Sequence, residues 1–401
     1  MLIDSEIFQF KNIKMRYTHI LMTFLVMTAF SCKNEILPSL NIKNVEEIGC
    51  NEEEPCTVIY QYSEKTEELI GKIKRRGGAS FRYNKHSFAL ELENKYSFSN
   101  LPNNDDWILN ANYIDKTFMR HKISYDLFRE MNSKNIAAKS SYVNVSINDT
   151  YAGLYVLMEE INGGMIGLNK RDTLAMLFKD PHIFYKEKLS HVQDSLNYYQ
   201  QKFPKLYVSD KTFYIEKFKN FMFNSSDSEF AQGISYWVDI ENVIDWHIIL
   251  LFSNNSDGIM KNFYLYKLDK NTPFRFAIWD YDHSFGRDGD NERNLMEREL
   301  NCNRAILLER LLNIPDIGYS SKLKKRWFEL QELNIISIDN FKKHIIENDK
   351  IISKEVEKNF EKWPINSKWY YDDNDYKQEL DLMLEFVKIR INQLDEYFNS
   401  L

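Results

Sequence analysis

The chain has 401 residues, of which 43% are hydrophobic and 14% aromatic. That composition can build one large domain or two ordinary ones, and it excludes wholesale disorder. The formal net charge of −7 excludes a dedicated nucleic-acid binder, which normally carries a basic face, so we expect no nucleic-acid partner. The 52 Lys and Arg residues still allow local patches that bind phosphate.

The N-terminal segment has the pattern of an export signal. The apolar run from Ile20 to Phe30 follows basic residues and is too short to cross a bilayer as a helix. It ends just before Cys32, in a segment that resembles the cleavage box of bacterial lipoproteins. The sequence therefore predicts a signal peptide over 1–32, lipidation of Cys32 and a tether over 33–55. The chain would then be an exported lipoprotein of the bacterial cell envelope, periplasmic or at the surface, held to the membrane by its lipid. A buried N-terminal helix is the alternative.

Two further cysteines lie at the end of the N-terminal region, Cys50 within the predicted tether and Cys56 directly after it. Cys50 and Cys56 are close enough to close a small loop by a disulfide in an oxidising compartment. Their spacing fits no familiar zinc pattern. Two free thiols in a loop remain the alternative interpretation.

A β-rich, N-lobe-like part is predicted over 56–160. Strand-like residues begin at Cys56, and apolar and polar residues alternate over 85–93, the period of a half-buried strand. Asp115 is the expected N-cap of an amphipathic helix. A hairpin then turns at Asn148-Asp149. This order of elements is similar to that of the small lobe of a protein kinase.

A mainly helical, C-lobe-like part is predicted over 161–401. The segment from Asp239 to Phe252 begins with a good cap and becomes nearly all apolar, which indicates a buried helix. The segment from Asp375 to Phe398 has one apolar side and is expected to pack as the last helix.

Two acidic loops flank a predicted hairpin in this second part. Asp257 and Asn262 have Asp-x4-Asn spacing, and Asp280 opens an Asp-x-Asp segment that includes Asp282. Closure of the hairpin brings both loops to one edge. Phosphoryl transfer needs oxygen ligands for metal ions and a carboxylate that orients the attacking hydroxyl, and protein kinases take them from loops of this kind. The spacing favours a metal–phosphate site, with a solvated turn or a calcium loop as alternatives.

The same residues resemble the CotH kinase family. The motifs are Arg76-Gly77-Gly78-Ala79-Ser80 with Lys85-His86-Ser87-Phe88, Trp107-Ile108-Leu109 leading to Asp115 and Arg120, Tyr151-Ala152-Gly153-Leu154-Tyr155 ending in Glu159, the Asp257…Asn262 loop, and Trp279-Asp280-Tyr281-Asp282-His283-Ser284-Phe285-Gly286. They occur in the family's order over residues 70–290. The Trp-Asp-Tyr-Asp block is the most specific of them.

The resemblance implies a fold and an activity. The expected fold is α+β, an atypical two-lobed protein-kinase-like fold with a smaller β-rich N-lobe and a mainly helical C-lobe. The expected activity is that of an ATP-dependent protein kinase, which transfers the γ-phosphate of ATP to Ser or Thr hydroxyls of protein substrates with Mg²⁺ or Mn²⁺.

The resemblance also implies residue roles. Asp257 would orient or deprotonate the substrate hydroxyl. The metal would be held by three residues: Asn262, Asp280 and Asp282. Lys85 is the first choice for contact with the nucleotide phosphates and Lys179 its rival, with Arg76 also assigned to the nucleotide. Glu159 lies where a hinge or an ion-pair partner would sit.

Two departures from the family leave alternatives open. The loop after Arg76 reads Gly-Gly-Ala-Ser, and His86 replaces the second of two usual lysines. The chain also has no kinase Gly-x-Gly-x-x-Gly loop. A pseudokinase or surface adhesion module on the same fold is therefore the second hypothesis. A lipoprotein that handles carbohydrate, with aromatic side chains as sugar platforms and facing carboxylates, is the third.

Overall fold

A closed β-barrel forms the first part of the computed structural model, which describes residues 37–186, 198–287, 295–364 and 373–401. The strands are β1 (Ser39–Lys43), β2 (Glu54–Tyr62), β3 (Lys65–Arg76), β4 (Ser87–Tyr96), β5 (Asn104–Asn110), β6 (Ser140–Ile147) and β7 (Thr150–Glu159). Their order is β1-β2-β3-β4-β5-β7-β6. The predicted signal peptide and Cys32 lie outside the described residues.

Strand β1 closes the barrel. It pairs antiparallel with β2 and parallel with β6, so neither flanking strand keeps an open edge. Leu40 and Ile42 point into the barrel core and are fully buried. The residues that alternate with them, Asn41 and Lys43, are partly exposed. This is the alternation of a half-buried strand.

The predicted tether over 33–55 is therefore wrong for residues 39–43. The strand is only five residues long, and the polar residues that follow it hide its period in the sequence. The strand is stabilised by pairing with β2 and with β6, which begins about a hundred residues later. The residues around β1 give no sign of such pairing in the sequence.

Both cysteines near β2 are free. Cys50 is exposed in the loop before β2, whereas Cys56 lies within β2 with its side chain buried in the barrel core. Burial raises the pKa of the Cys56 thiol to about 11. The structure therefore shows the free-thiol alternative, since the two side chains lie in different environments.

Helices and a second sheet follow the barrel. The helices are α1 (Arg120–Met131), which lies between β5 and β6, and then α2 (Gly163–Ile166), α3 (Thr212–Asn224), α4 (Asp227–Trp237), α5 (Ile240–Ser253), α6 (Ile306–Asn313), α7 (Tyr319–Glu332), α8 (Ile338–Lys362) and α9 (Tyr376–Ser400). The sheet has the order β11-β10-β8-β9, formed by β8 (Met176–Lys179), β9 (Gln201–Phe203), β10 (Phe263–Lys267) and β11 (Arg275–Ile278). None of the helices within the described ranges is long and apolar enough to span a bilayer.

The α+β class is thus confirmed. The barrel and the helices belong to one compact unit, Leu37–Leu401, so the two-lobed kinase arrangement stays a prediction. Helix α5 is buried as its apolar sequence predicts, and Asp239 caps it by accepting the backbone N–H of Asn242. Helix α9 begins with a capping box between Asp375 and Gln378.

Helix α1 begins later than the sequence indicates. Met119, not Asp115, is the N-cap residue. Asp115 accepts the backbone N–H groups of Thr117 and of Arg120, the first residue of α1, both at 3.0 Å, and so orders the turn that leads into the helix. Burial alone would raise the pKa of Asp115, but Arg120 and Thr117 lower it below its ordinary value. The carboxylate is therefore held ionised inside the protein.

A buried charge network joins this turn to the C-terminal helix. The Arg120 guanidinium donates to Asp115 at 2.6 Å, to Glu379 of α9 at 3.1 Å and to the Ser284 carbonyl at 2.9 Å. Arg287 donates to the same Glu379 carboxylate. The Arg120, Asp115 and Glu379 side chains have no exposed surface, so their charges are balanced by one another and not by water.

Arg120→Met should lower the free energy of unfolding by about 3–5 kcal/mol, because it leaves two carboxylates buried with a missing partner. Urea unfolding followed by circular dichroism measures this. Arg171→Met, at an exposed arginine, is the control and should stay within about 0.5 kcal/mol of the parent protein. Equal stability of the two variants would contradict the network's role.

Ile42→Ala should cost about 2–5 kcal/mol if β1 is part of the barrel core, because the change leaves a cavity beside β2 and β6. Thermal and urea unfolding of a protein that begins at residue 33 measure it. The exposed Glu46→Ala, just beyond β1, is the control. A tether would tolerate both substitutions equally.

Candidate metal and phosphate site

The hairpin of β10 and β11 brings two loops together. In its antiparallel register Phe263 lies opposite Ile278, so the residue before β10 meets the residue after β11. The backbone N–H of Trp279 accordingly donates to the Asn262 carbonyl at 3.0 Å. The predicted juxtaposition of the two acidic loops is present.

Two asparagine amides hold the start of the second loop. Asn262 Nδ2 and Asn255 Nδ2 both donate to the Asp280 carbonyl, at 3.0 and 3.3 Å. Asn255 Oδ1 accepts the backbone N–H of Gly258 and so also shapes the first loop. Because the NH₂ group of Asn262 is used in this contact, its Oδ1 is the atom that could bind a cation.

Three residues at this edge have left-handed backbone conformations. The φ angles are 48° for Asp180, 64° for Asn262 and 60° for Asp280. Such conformations cost about 1–3 kcal/mol each outside glycine and collect at functional sites where surrounding contacts enforce them. Here hydrogen bonds enforce them, since Asp180 exchanges two bonds with Phe263, at 3.0 and 3.1 Å.

Asp180 is a residue that the sequence analysis missed. It directly follows Lys179 at the end of β8, and β8 pairs with β10. Burial raises the pKa of Asp180, Lys179 opposes the rise, and the nearby Asp280 adds to it. Lys-Asp-Pro reads as an ordinary turn in the sequence, so only the pairing of β8 with β10 reveals that this carboxylate adjoins the acidic loops.

Asp280, Asp282 and His121 form a cluster of potential metal ligands. One ligand atom of each lies within 4.8 Å of the others. The Asp280 side chain is 53% exposed, whereas His121 is buried in the first turn of α1. Burial raises the pKa of Asp282, and His283 partly opposes the rise. His121 was also missed, because a single histidine on a buried helix carries no signal of its own.

Asp257 lies in the first loop, in a short 3₁₀ helix, Asp257–Ile259. Its half-exposed carboxylate forms an ion pair with Lys261 at 3.0 Å. Burial alone would lower the pKa of Lys261, yet Asp257 and, more weakly, Asp280 raise it above its ordinary value. Lys261 is thus a cation that the two acidic loops share.

Arg76 and Lys179 approach the site from two sides. The Arg76 guanidinium lies 5.5 Å and the Lys179 ammonium 5.8 Å from the centre of the Trp279 ring, next to Asp280. Lys179 also lies 5.9 Å from the Tyr264 ring, opposite which it is paired in the sheet. Both cations are partly exposed, so an anion can reach them.

Lys85 lies elsewhere, in the interior. Its side chain is 1% exposed, its ammonium donates to the carbonyls of Ala111 and Leu154, and the rings of Phe118 and Tyr155 lie 4.9 and 4.4 Å away. Burial lowers the pKa of Lys85 well below its ordinary value. The structure therefore does not bring Lys85 to the acidic loops, whereas Lys179, its rival, lies beside Trp279 and Asp280.

Glu159 is also engaged away from the acidic loops. Its carboxylate accepts the backbone N–H of Lys139 at 2.9 Å, which ties the end of β7 to the start of β6. Burial raises the pKa of Glu159, and Lys139 opposes the rise. Of the two expectations for Glu159, a hinge or an ion-pair partner, neither is tested by this contact, and its role stays a prediction.

Comparison with known proteins finds a matching family model and a similar curated protein. The family model described as CotH kinase protein matches residues 73–394, which include the barrel strands from β4 onward and both acidic loops. The inner spore coat protein H of Bacillus subtilis (strain 168) is 26% identical over 189 residues, 46% of this chain. The matched region spans about half of that relative, 51% of its length. A family model that covers most of the chain identifies it: the chain belongs to the CotH kinase protein family.

Proposed function

We propose that this chain is an atypical Ser/Thr protein kinase, exported and anchored by a lipid on Cys32, that transfers the γ-phosphate of ATP to protein hydroxyls. The observation that carries the proposal is the meeting of Asn262, Asp280 and Asp282 at one edge, with Lys179 and Arg76 beside them. Family membership supports the reaction class, since the family is named for a kinase.

The donor set fits a hard divalent cation. The Asn262 amide oxygen and the carboxylates of Asp280 and Asp282 offer oxygen ligands, and Asp180 places a further carboxylate beside them. Oxygen ligands of this kind are those that Mg²⁺ and Mn²⁺ prefer. A bound divalent cation would supply charge neutralisation for the phosphates of ATP.

The remaining residues then have distinct tasks. Lys179 and Arg76 are the cations that would contact phosphate oxygens, because both are partly exposed beside Asp280. Asp257 would orient the substrate hydroxyl and accept its proton, since its carboxylate is half-exposed in the loop that ends at Asn262. Lys261, which forms an ion pair with Asp257, would hold that carboxylate in place.

A binding module on the same fold is the second candidate function. The relative is named as a spore coat protein, a name that describes where that protein resides and not a reaction. Such a module would recognise its partner without a metal and would not need the Asp257 carboxylate.

Asp257→Ala should lower phosphate transfer by about 10²–10⁴-fold, the usual contribution of a positioned base. The measurement uses residues 33–401 with labelled ATP, Mg²⁺ or Mn²⁺ and a generic protein substrate. Asp280→Ala should abolish transfer together with metal binding. Asp316→Asn, at an exposed carboxylate outside the cluster, is the control. Full kinase activity in both Asp257→Ala and Asp280→Ala would overturn the kinase assignment. If the protein instead binds a partner without a metal, the binding module is favoured.

Lys179→Met should weaken the binding of Mg·ATP about tenfold, whereas Lys85→Met should leave it unchanged, because of these two lysines Lys179 alone lies beside the acidic loops. Lys85→Met should instead cost about 1–3 kcal/mol of stability, since it leaves two buried carbonyls without their donor. Calorimetric titration and urea unfolding separate the two effects. Weaker nucleotide binding by Lys85→Met at unchanged stability would reverse the assignment.

A further inference from the structure

His121 is held by hydrogen bonds from the loop that carries the two aspartates. The backbone N–H of Tyr281, the residue between Asp280 and Asp282, donates to His121 Nδ1 at 2.9 Å. A backbone N–H can only donate, so Nδ1 must offer its lone pair. The Nδ1 atom of this ring is therefore an acceptor.

The Tyr125 hydroxyl is compatible with the same assignment. It accepts the backbone N–H of Asp280 at 2.9 Å, and it lies 3.3 Å from His121 Nδ1. Because the Tyr281 N–H already requires Nδ1 to be an acceptor, the Tyr125 hydroxyl proton can also point toward that nitrogen. The tautomer with its proton on Nε2 is compatible with both contacts.

The proton on Nε2 points at the candidate ligands. His121 Nε2 lies 3.9 Å from Asp280 Oδ1, and an Asp282 carboxylate oxygen is within the same 4.8 Å cluster. A ring turned by 180° would set a C–H against the Tyr281 N–H and lose the 2.9 Å bond. The nitrogen nearest the metal site is therefore the one without a lone pair.

We propose that His121 is a positioning residue and not a metal ligand, so that the metal site is built of oxygen ligands alone. This inference rests on the proposed function. A histidine that ligates a metal normally donates its other ring N–H to an acceptor, which leaves the ligating nitrogen bare. In His121 the second nitrogen, Nδ1, instead accepts the backbone N–H of Tyr281, so it has no proton to donate.

The approach of His121 Nε2 to Asp280 explains how His121 would position that carboxylate. The 3.9 Å separation is too long for a hydrogen bond, but the half-exposed Asp280 carboxylate can rotate to accept the Nε2–H. That bond would hold Asp280 beside Asp282, whose negative charge repels it. An oxygen-only site of this kind selects Mg²⁺ or Mn²⁺ and discriminates against Zn²⁺, which favours nitrogen ligands.

The test uses Mn²⁺ as the probe with the protein over residues 33–401. Electron spin echo spectroscopy detects a nitrogen bound directly to Mn²⁺, and none is expected in the parent protein. His121→Ala should weaken Mn²⁺ binding about tenfold, whereas His121→Gln, whose side-chain amide N–H reaches the place of Nε2–H, should stay within about threefold. A directly bound imidazole nitrogen, or equal losses in both variants, would overturn the proposal.

A second measurement is independent of the metal. Nitrogen-15 labelling of histidine, with His121→Gln to assign the signal, reports the tautomer of His121 in metal-free protein. A proton on Nε2 is expected, and a proton on Nδ1 would overturn the inference. If the parent protein binds no Mn²⁺, or Asp280→Ala binds it equally well, the proposed metal site fails, while the tautomer measurement still decides the assignment of His121.

Discussion

Burying ionised groups is costly, and this protein does so at the point where its C-terminal helix meets the loop of the two aspartates. Arg120 donates to Glu379 of α9 and to the Ser284 carbonyl, two residues beyond Asp282. Its charge is compensated only while these elements stay together, because no water replaces a lost partner at a side chain without exposed surface. The network thus makes the position of the second acidic loop depend on the last helix of the chain. Since His121 follows Arg120 in α1, the same contact also fixes the helix turn that faces Asp280.

The geometry of the acidic loops has a second cause, which is local. The β10–β11 hairpin brings Asn262 and Asp280 together, and the Asn262 amide fixes the Asp280 carbonyl. Both residues have φ angles near 60°, and the hydrogen bonds around them maintain a backbone that would otherwise relax. The two loops therefore approach one another as a result of backbone constraints. For the proposed metal site this is preorganisation, which would lower the cost of ordering the ligands around a cation.

The sequence predicts those parts of this arrangement that depend on neighbouring residues, and it fails where a feature depends on contacts between distant segments. The hairpin and the buried helix α5 follow from residue periodicity, and the spacing of Asp257, Asn262 and Asp280 places them on the loops that meet. Strand β1, by contrast, is too short to show a period, and its pairing partners β2 and β6 come later in the chain. Asp180 and His121 were missed for the same reason, since each reaches the acidic loops only through contacts between distant segments. Lys85 is the opposite case: the family motif suggested a phosphate contact, whereas the structure places its ammonium between two carbonyls and two aromatic rings, which the sequence does not indicate.

Under the proposed function, the charge balance at the site would link metal and nucleotide binding. Asp180, Asp280 and Asp282 place three carboxylates at this edge, with the partly exposed cations Arg76 and Lys179 beside them. A triphosphate alone would then meet net repulsion, because like charges within a few ångströms disfavour one another strongly in a partly buried site. A divalent cation bound there would reverse that balance, so the proposal implies that the affinities for metal and nucleotide are coupled and that each raises the other by the same factor. A surface that served only to hold a protein partner would have no need of such coupling, and it is this property that separates the two candidate functions in physical terms.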